Sequence, residues 1–301
     1  MTTDSEPFRF EQIHIDAARN ATDDFNLFHD PLRWQRLAGN PFCGPIVLGF
    51  QLVCLAEGWL RGQGIITDDG PAFVNGQYQF ASALRPGESA RIEAGRPRIE
   101  ADRRSCRLLV RGPSGLILRG QIQQEPEARH VPEGAPAIAP DALARQPDRS
   151  WFGNSGWFLK HKYMNTGNAK NFLCGSRVEQ TRFIDELEDR VRFPDSFPAA
   201  LISCALLERA RSEGHDFERE PMVYTQHRIS IDQRGMARLK SNDRVSLLVG
   251  PPRQQAAGRG LGAQAVRQQT HGCLVLDQQG QPLVRALISL SPLSALREGN
   301  A

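Results

Sequence analysis

The chain has 301 residues, of which 40% are hydrophobic and 24% are charged, a composition typical of globular proteins and a length sufficient for two domains. Its 37 Lys and Arg against 34 Asp and Glu leave a net charge of only +3, so nucleic acid is not expected as a partner. The polar N-terminus, MTTDSEPFRF, predicts no secretory signal. No apolar run approaches the ~20 residues that span a bilayer, so no membrane span is expected.

The first half predicts one apolar helix followed by strands. A strand leading into a helix is predicted over residues 8–15, and residues 46–60 are apolar almost all round. A helix of the latter kind has no solvent face and must be enclosed by other elements. Strands are predicted at residues 71–84 and 89–101, and residues 106–123 read as two strands around a Pro-Ser-Gly turn.

Residues 125–150 are rich in proline and lack a sustained apolar period, so they predict an extended linker between two compact halves. The predicted domains are therefore residues 1–124 and 151–301.

The second half repeats the element order of the first. It predicts a helix over residues 193–214 and then strands up to a hairpin over residues 270–293, with a hairpin loop in the Gly- and Arg-rich residues 250–264. Cys54 and Cys204 differ by 150 positions, as do Gly64 and Gly214, which favours a duplicated unit.

One apolar helix wrapped by an antiparallel sheet is the hotdog layout. The predicted fold class is therefore α+β, with two hotdog domains in tandem that pair their sheets edge to edge and so cover exposed strand edges.

Asp24, Asn26 and His29 lie on a predicted loop that leads into a short helix. Their spacing resembles the Asp-x-Asn-Pro-x-His motif of MaoC-like and R-specific enoyl-CoA hydratases. Residues 44–50, GPIVLGF, are similar to that family's Gly-Pro-Ile-x-His-Gly-Met helix start, and residues 78–88 resemble its strand and Pro-Gly-Asp turn. These three signatures cover residues 8–124 in the family order, whereas the second half resembles only the order of elements.

The sequence departs from the family pattern at three positions. Leu27 replaces the motif proline, Gln35 replaces a small residue, and Leu48 replaces the histidine before the helix glycine. These changes motivate one alternative, a catalytically inactive subunit that binds acyl thioesters.

The resemblance implies a hydratase/dehydratase that interconverts trans-2-enoyl and 3-hydroxyacyl thioesters. This reaction needs one group to activate water and another to deliver a proton to the α-carbon, work that a carboxylate and an imidazole can share. Asp24 and His29 are the implied acid/base pair, with Asn26 holding the loop or orienting the pair. Gly49, at the start of the buried helix, is the expected oxyanion donor, because helix N-termini offer unpaired N–H groups.

Structural interpretations of the same residues stay open. Asp24 and Asn26 also fit helix caps, His29 fits a structural histidine, and Gly49 fits a packing glycine. A hotdog thioesterase, in which a carboxylate assists attack of water on the thioester carbonyl, is the alternative reaction.

The second half contains no Asp-x-Asn-x-x-His pattern, so it is expected to shape the acyl pocket rather than to catalyse. His227 and His271 lie in its predicted strands and are interpreted as structural. No cofactor and no metal are implied. The expected partner is a thioester carried on coenzyme A or an acyl carrier protein, and two double-hotdog chains are a possible homodimer.

The six cysteines form no Cys-x-x-Cys pair and lie mostly in apolar stretches. This pattern indicates buried, reduced thiols and a cytoplasmic protein.

Overall fold

A computed structural model describes residues 3–256 and 267–297. The first half contains β1 (Thr3–Asp4), β2 (Phe8–Arg9), α1 (Gln12–Thr22), α2 (Gly49–Gly62), β3 (Phe73–Phe80), β4 (Ser89–Ala94), β5 (Arg98–Ile99), β6 (Arg104–Gly112) and β7 (Gly115–Glu125). The connecting segment contains α3 (Pro140–Arg145) and β8 (Ser150–Trp151). The second half contains β9 (Phe158–Met164), α4 (Thr166–Gly175), β10 (Ile184–Asp185), β11 (Arg190–Val191), α5 (Ser196–Ala200), α6 (Ile202–Ser212), β12 (Met222–Asp232), α7 (Gln233–Met236), β13 (Asp243–Ala256), β14 (Arg267–Leu276), β15 (Pro282–Pro292) and α8 (Leu293–Arg297).

Within the described residues, the long strands form one antiparallel sheet. Its order is β1-β4-β6-β7-β3-β12-β15-β14-β13-β9-β8. The halves meet where β3 pairs with β12, with Gln79 opposite Gln226 and Phe73 opposite Asp232. Edge-to-edge pairing of two hotdog sheets was predicted, and the structure shows it.

Each half wraps its part of the sheet around apolar helices. The buried side chains of α2 belong to one hydrophobic cluster that continues through α5, α6 and the inward residues of both halves of the sheet. Helix α2 begins at Gly49, where the Gln51 side chain accepts a hydrogen bond from the Leu48 N–H at 3.1 Å. The predicted fold class, α+β with two hotdog units in tandem, is confirmed.

Several predicted elements differ in detail from the structure. The strand leading into a helix that was predicted over residues 8–15 corresponds to Phe8–Arg9 followed by α1, which begins at Gln12. The second central helix divides into α5 and α6 around Leu201. Strand β13 continues to Ala256, into the segment predicted as a hairpin loop, and residues 257–266 of that prediction lie outside the described residues.

Helices α1 and α4 pack closely on each other and hold the N-terminal end of α2. A Cβ on Gly175 would lie 2.6 Å from the His14 carbonyl oxygen and 2.8 Å from the Ala18 nitrogen, so only glycine allows this approach. The buried Gln51 amide donates to the carbonyls of Gly175 at 2.6 Å and His14 at 3.1 Å. One side chain thus ties three helices together at the start of α2.

Substituting Gly175→Ala should lower the free energy of unfolding by roughly 1–3 kcal/mol, because the added methyl meets backbone atoms that cannot turn away. Urea denaturation measures the change. The matched control is Gly95→Ala, whose Cβ would meet only the Arg107 carbonyl oxygen, at 3.6 Å. Equal stability of the two variants would contradict the close packing of α1 on α4.

Candidate active site

The loop after α1 is fixed by its own side chains. Helix α1 ends at Thr22, and the residue that follows it, Asp23, has a left-handed φ of 52°. The Asp24 carboxylate accepts a hydrogen bond from the Asn26 N–H at 3.0 Å, and the Asn26 side-chain oxygen accepts one from the Phe28 N–H at 3.2 Å. Asn26 thereby caps the short 3₁₀ helix Leu27–His29. These capping bonds set the direction in which the loop presents His29.

His29 is buried, with 4% of its surface exposed, and is held by the segment that precedes α2. Its Nδ1 lies 2.8 Å from the Ile46 carbonyl oxygen. Because a carbonyl can only accept, Nδ1 carries the proton, and Nε2 of the neutral ring keeps its lone pair. The Ile46 N–H donates in turn to the Phe28 carbonyl at 2.9 Å, so the loop and this segment are joined at two points.

Burial lowers the pKa of His29 below 6.5, and the nearby Asp24 carboxylate partly opposes this by raising it. The imidazole is therefore neutral at pH 7 and suited to accept a proton. Asp24 is itself 4% exposed, so its charge acts on His29 with little screening by water.

A cavity of about 140 Å³ lies between this loop, the start of α2 and strand β12. An apolar cavity of this size accommodates a group as large as benzene. Its lining includes Asn26, His29 and Gly49 from the first half, together with Tyr224 and Thr225 from the second. The structure thus brings three of the four predicted site residues to one cavity. The fourth, Asp24, does not line the cavity but is close enough to His29 for its charge to raise the pKa of the imidazole.

Gly49 is both a cavity residue and a packing glycine. A Cβ at this position would lie 2.8 Å from Phe80 Cζ and 3.5 Å from His227 Cε1. As the first residue of α2, its N–H belongs to the first turn, whose amides have no partner within the helix. The start of α2 therefore offers hydrogen-bond donors and the positive end of the helix dipole beside the cavity.

The three departures from the family pattern lie away from the cavity lining. Leu27 packs in a small hydrophobic cluster beside the loop, Gln35 is exposed, and Leu48 is buried in the main core. None of them lines the cavity.

The corresponding loop of the second half has a different chemistry. Helix α4 ends at Gly175, and Arg177, two residues further on, has a left-handed φ of 57°. The residues that follow, 178–183, include no histidine, so this segment supplies no carboxylate–imidazole pair.

The backbone N–H groups at the start of α5, in the second half, are bonded to a side chain of the first half. The buried carboxylate of Glu57 on α2 accepts hydrogen bonds from the N–H groups of Asp195 and Ser196, both at 2.9 Å. Arg61 pairs with Glu57 at 3.2 Å and with Asp195 at 2.5 Å. The amides that would bind an anion at the start of α5 are thus already bonded to a side chain.

The second-half residues of the cavity were not predicted from the sequence. Met222, Tyr224 and Thr225 begin β12, which lies beside the first half because β12 pairs with β3. The Tyr224 hydroxyl donates to Ser203 at 3.1 Å. The predicted edge-to-edge pairing was the available signal, but it did not define which residues face the cavity.

Two further properties of the described residues bear on function. In residues 3–256 and 267–297, no helix is both long and apolar enough to cross a membrane. In the same part of the chain, no three His, Cys, Asp or Glu side chains are grouped as metal ligands.

Comparison with solved structures identifies the fold. A MaoC domain dehydratase from Chloroflexus aurantiacus matches with a TM-score of 0.62 and 8% identity, over 97% of this chain and 95% of that one. A protein from Mycobacterium tuberculosis described as a double hotdog matches with a TM-score of 0.56 and 13% identity, over 97% and 95%. The peroxisomal multifunctional enzyme type 2 of Drosophila melanogaster matches with 0.57 and 12%, over 96% of this chain and 48% of that one.

No protein-family model and no curated protein matches the sequence. The structural matches show that the chain has the double hotdog fold of MaoC-like dehydratases, so the resemblance drawn from the motifs is confirmed at the level of the fold.

The proton equilibrium of His29 can be measured directly. We expect its NMR titration midpoint to lie below 6.5 and to fall further in Asp24→Asn, because that substitution removes the carboxylate that raises the pKa of His29. Asp23→Asn is the matched control: Asp23 is exposed, pairs with Lys162, and has a left-handed backbone that asparagine tolerates. A midpoint that is unchanged in Asp24→Asn would show that this carboxylate does not act on His29.

Proposed function

We propose that the protein catalyses the reversible addition of water to a trans-2-enoyl thioester, giving a 3-hydroxyacyl thioester. The observation that carries the proposal is the placement of His29. Its Nδ1 is fixed by the Ile46 carbonyl, and the residue lines a cavity beside the start of an enclosed helix. The double hotdog fold shared with MaoC-like dehydratases supports the same reaction class.

In the proposed reaction, His29 Nε2 takes a proton from a water molecule in the cavity. The hydroxide adds to the β-carbon of the enoyl group, the carbon–carbon double bond shifts its electrons toward the thioester, and negative charge develops on the carbonyl oxygen. The imidazolium then returns the proton to the α-carbon. One water is consumed and the imidazole is regenerated, so the cycle needs no other reactant.

Asp24 has a supporting part in this cycle. Its buried carboxylate favours the imidazolium form of His29, because an opposite charge stabilises a nearby cation in a medium of low polarity. In this cycle the two residues of the predicted acid/base pair have different tasks. His29 exchanges the proton with the water, and Asp24 stabilises the positive charge that His29 acquires. Asn26 holds the loop through its cap and also lines the cavity.

Charge on the thioester oxygen needs hydrogen-bond donors. The N–H of Gly49 at the start of α2 is the proposed donor, as the sequence predicts, and the helix dipole adds to its effect. The small cavity accommodates the thioester and its first carbons. A second cavity of about 360 Å³, which shares Asn26, Phe28 and Tyr224 with it, offers room for a longer acyl chain.

The test is an enoyl-thioester hydration assay that follows loss of the enoyl absorbance. His29→Ala should lower kcat/KM by about 10²–10⁴-fold, because it removes the group that transfers the proton. Asp24→Asn should lower it less, since the imidazole remains. Asp23→Asn, in the adjacent exposed position, should retain the activity.

Hydration that survives in His29→Ala would refute the proposed role of this residue. Release of free thiol without loss of the enoyl group would identify a thioesterase, and tight binding of an acyl thioester without turnover would identify a binding subunit. Coenzyme A and acyl carrier protein thioesters are compared in the same assay to identify the carrier.

A further inference from the structure

His227 on β12 is a buried imidazole with no hydrogen-bond partner. Its side chain is 0% exposed, and neither Nδ1 nor Nε2 is within bonding distance of a polar atom in the described part of the chain. Leaving a polar group unpaired in the core costs about 1–3 kcal/mol, so the unpaired imidazole lowers the stability of the fold.

The ring of His227 lies among aromatic side chains. It stacks on Phe50 of α2 with a centroid distance of 4.4 Å, and it meets the rings of Phe80 at 4.8 Å and Tyr224 at 5.0 Å edge to face. Burial alone lowers the pKa of His227, to about 3, so the ring is neutral and one of its nitrogens always carries a proton to donate.

The polar edge of this ring is turned toward the start of α2. Cε1, the carbon between the two nitrogens, is the His227 atom that a Cβ on Gly49 would meet, at 3.5 Å. Phe80 Cζ would lie 2.8 Å from the same Cβ, so the Phe80 ring occupies the space over Gly49. Gly49, Phe80 and Tyr224 all line the small cavity, and His227 lies directly behind them.

We propose that His227 donates a hydrogen bond to the thioester carbonyl oxygen, beside the Gly49 N–H, once the Phe80 ring has moved aside for the substrate. The second half then contributes a residue to the oxyanion site of the first. A neutral imidazole suits this task, because its N–H stabilises the developing charge without giving up its proton. The inference rests on the hydration reaction proposed above.

The test substitutes two histidines in turn: His227, which has no hydrogen-bond partner in the described part of the chain, and His161, which has two. His227→Phe should leave the free energy of unfolding unchanged or raise it, since no hydrogen bond is lost, while kcat for enoyl-thioester hydration falls about 100-fold with little change in KM. His227→Gln, which keeps an N–H donor, should recover part of this loss.

The matched control is His161→Phe. His161 is bonded through Nδ1 to Ser246 at 3.0 Å and through Nε2 to the Gln146 carbonyl at 2.9 Å. It lies outside the lining of both cavities, so this variant should lose stability and keep its kcat.

The outcomes separate the two proposals. If the wild type hydrates enoyl thioesters, loses this activity in His29→Ala and keeps it in His227→Phe, the role of His227 is refuted and the proposed reaction stands. A His227→Phe variant that loses stability together with activity would also refute the role, since a structural histidine behaves in that way. If the wild type hydrates no enoyl thioester, both proposals fail.

Discussion

The pairing of β3 with β12 is the contact on which the site depends. Hydrogen bonds between these two strands make one continuous sheet from two halves and cover an edge on each. The register of the β3–β12 pairing also decides which side chains face the helices, because a slip of one residue turns every side chain of a strand to the opposite face of the sheet. The observed register, with His227 opposite Tyr78, places His227 against Phe50 of α2. The same pairing brings Tyr224 to the cavity beside His29, so residues of both halves line the cavity.

The parts of the structure that depend on local patterns could be predicted from the sequence. The apolar run at residues 46–60 predicted an enclosed helix, and the spacing of Asp24, Asn26 and His29 predicted a shared loop. The parts that depend on distant contacts could not. Nothing in the local sequence shows that the Ile46 carbonyl accepts from His29, or that His29 lines the cavity whereas Asp24 does not. Helix α4 was missed because it is short and has only three apolar side chains on its buried face, Ala169, Phe172 and Leu173, too few to predict a helix.

The interpretation of single residues also depended on the fold. Asp24, Asn26 and Gly49 each have a structural part that the sequence analysis left as an alternative, and the structure shows capping bonds and close packing at these positions. At Gly49 the packing and the proposed role depend on different features, because the absence of a side chain allows the close packing and the N–H is the proposed donor. His227, interpreted from the sequence as structural, packs among three aromatic rings and has no polar contact in the described part of the chain.

The Glu57 carboxylate at the start of α5 has a consequence for stoichiometry. Two hotdog units could in principle bind two thioesters, one at each central helix. With the amides of Asp195 and Ser196 already neutralised from within, only one of these positions is open to an incoming anion. In the proposed reaction each polypeptide therefore binds one acyl thioester, at the start of α2, and the second half supplies part of the wall of that site.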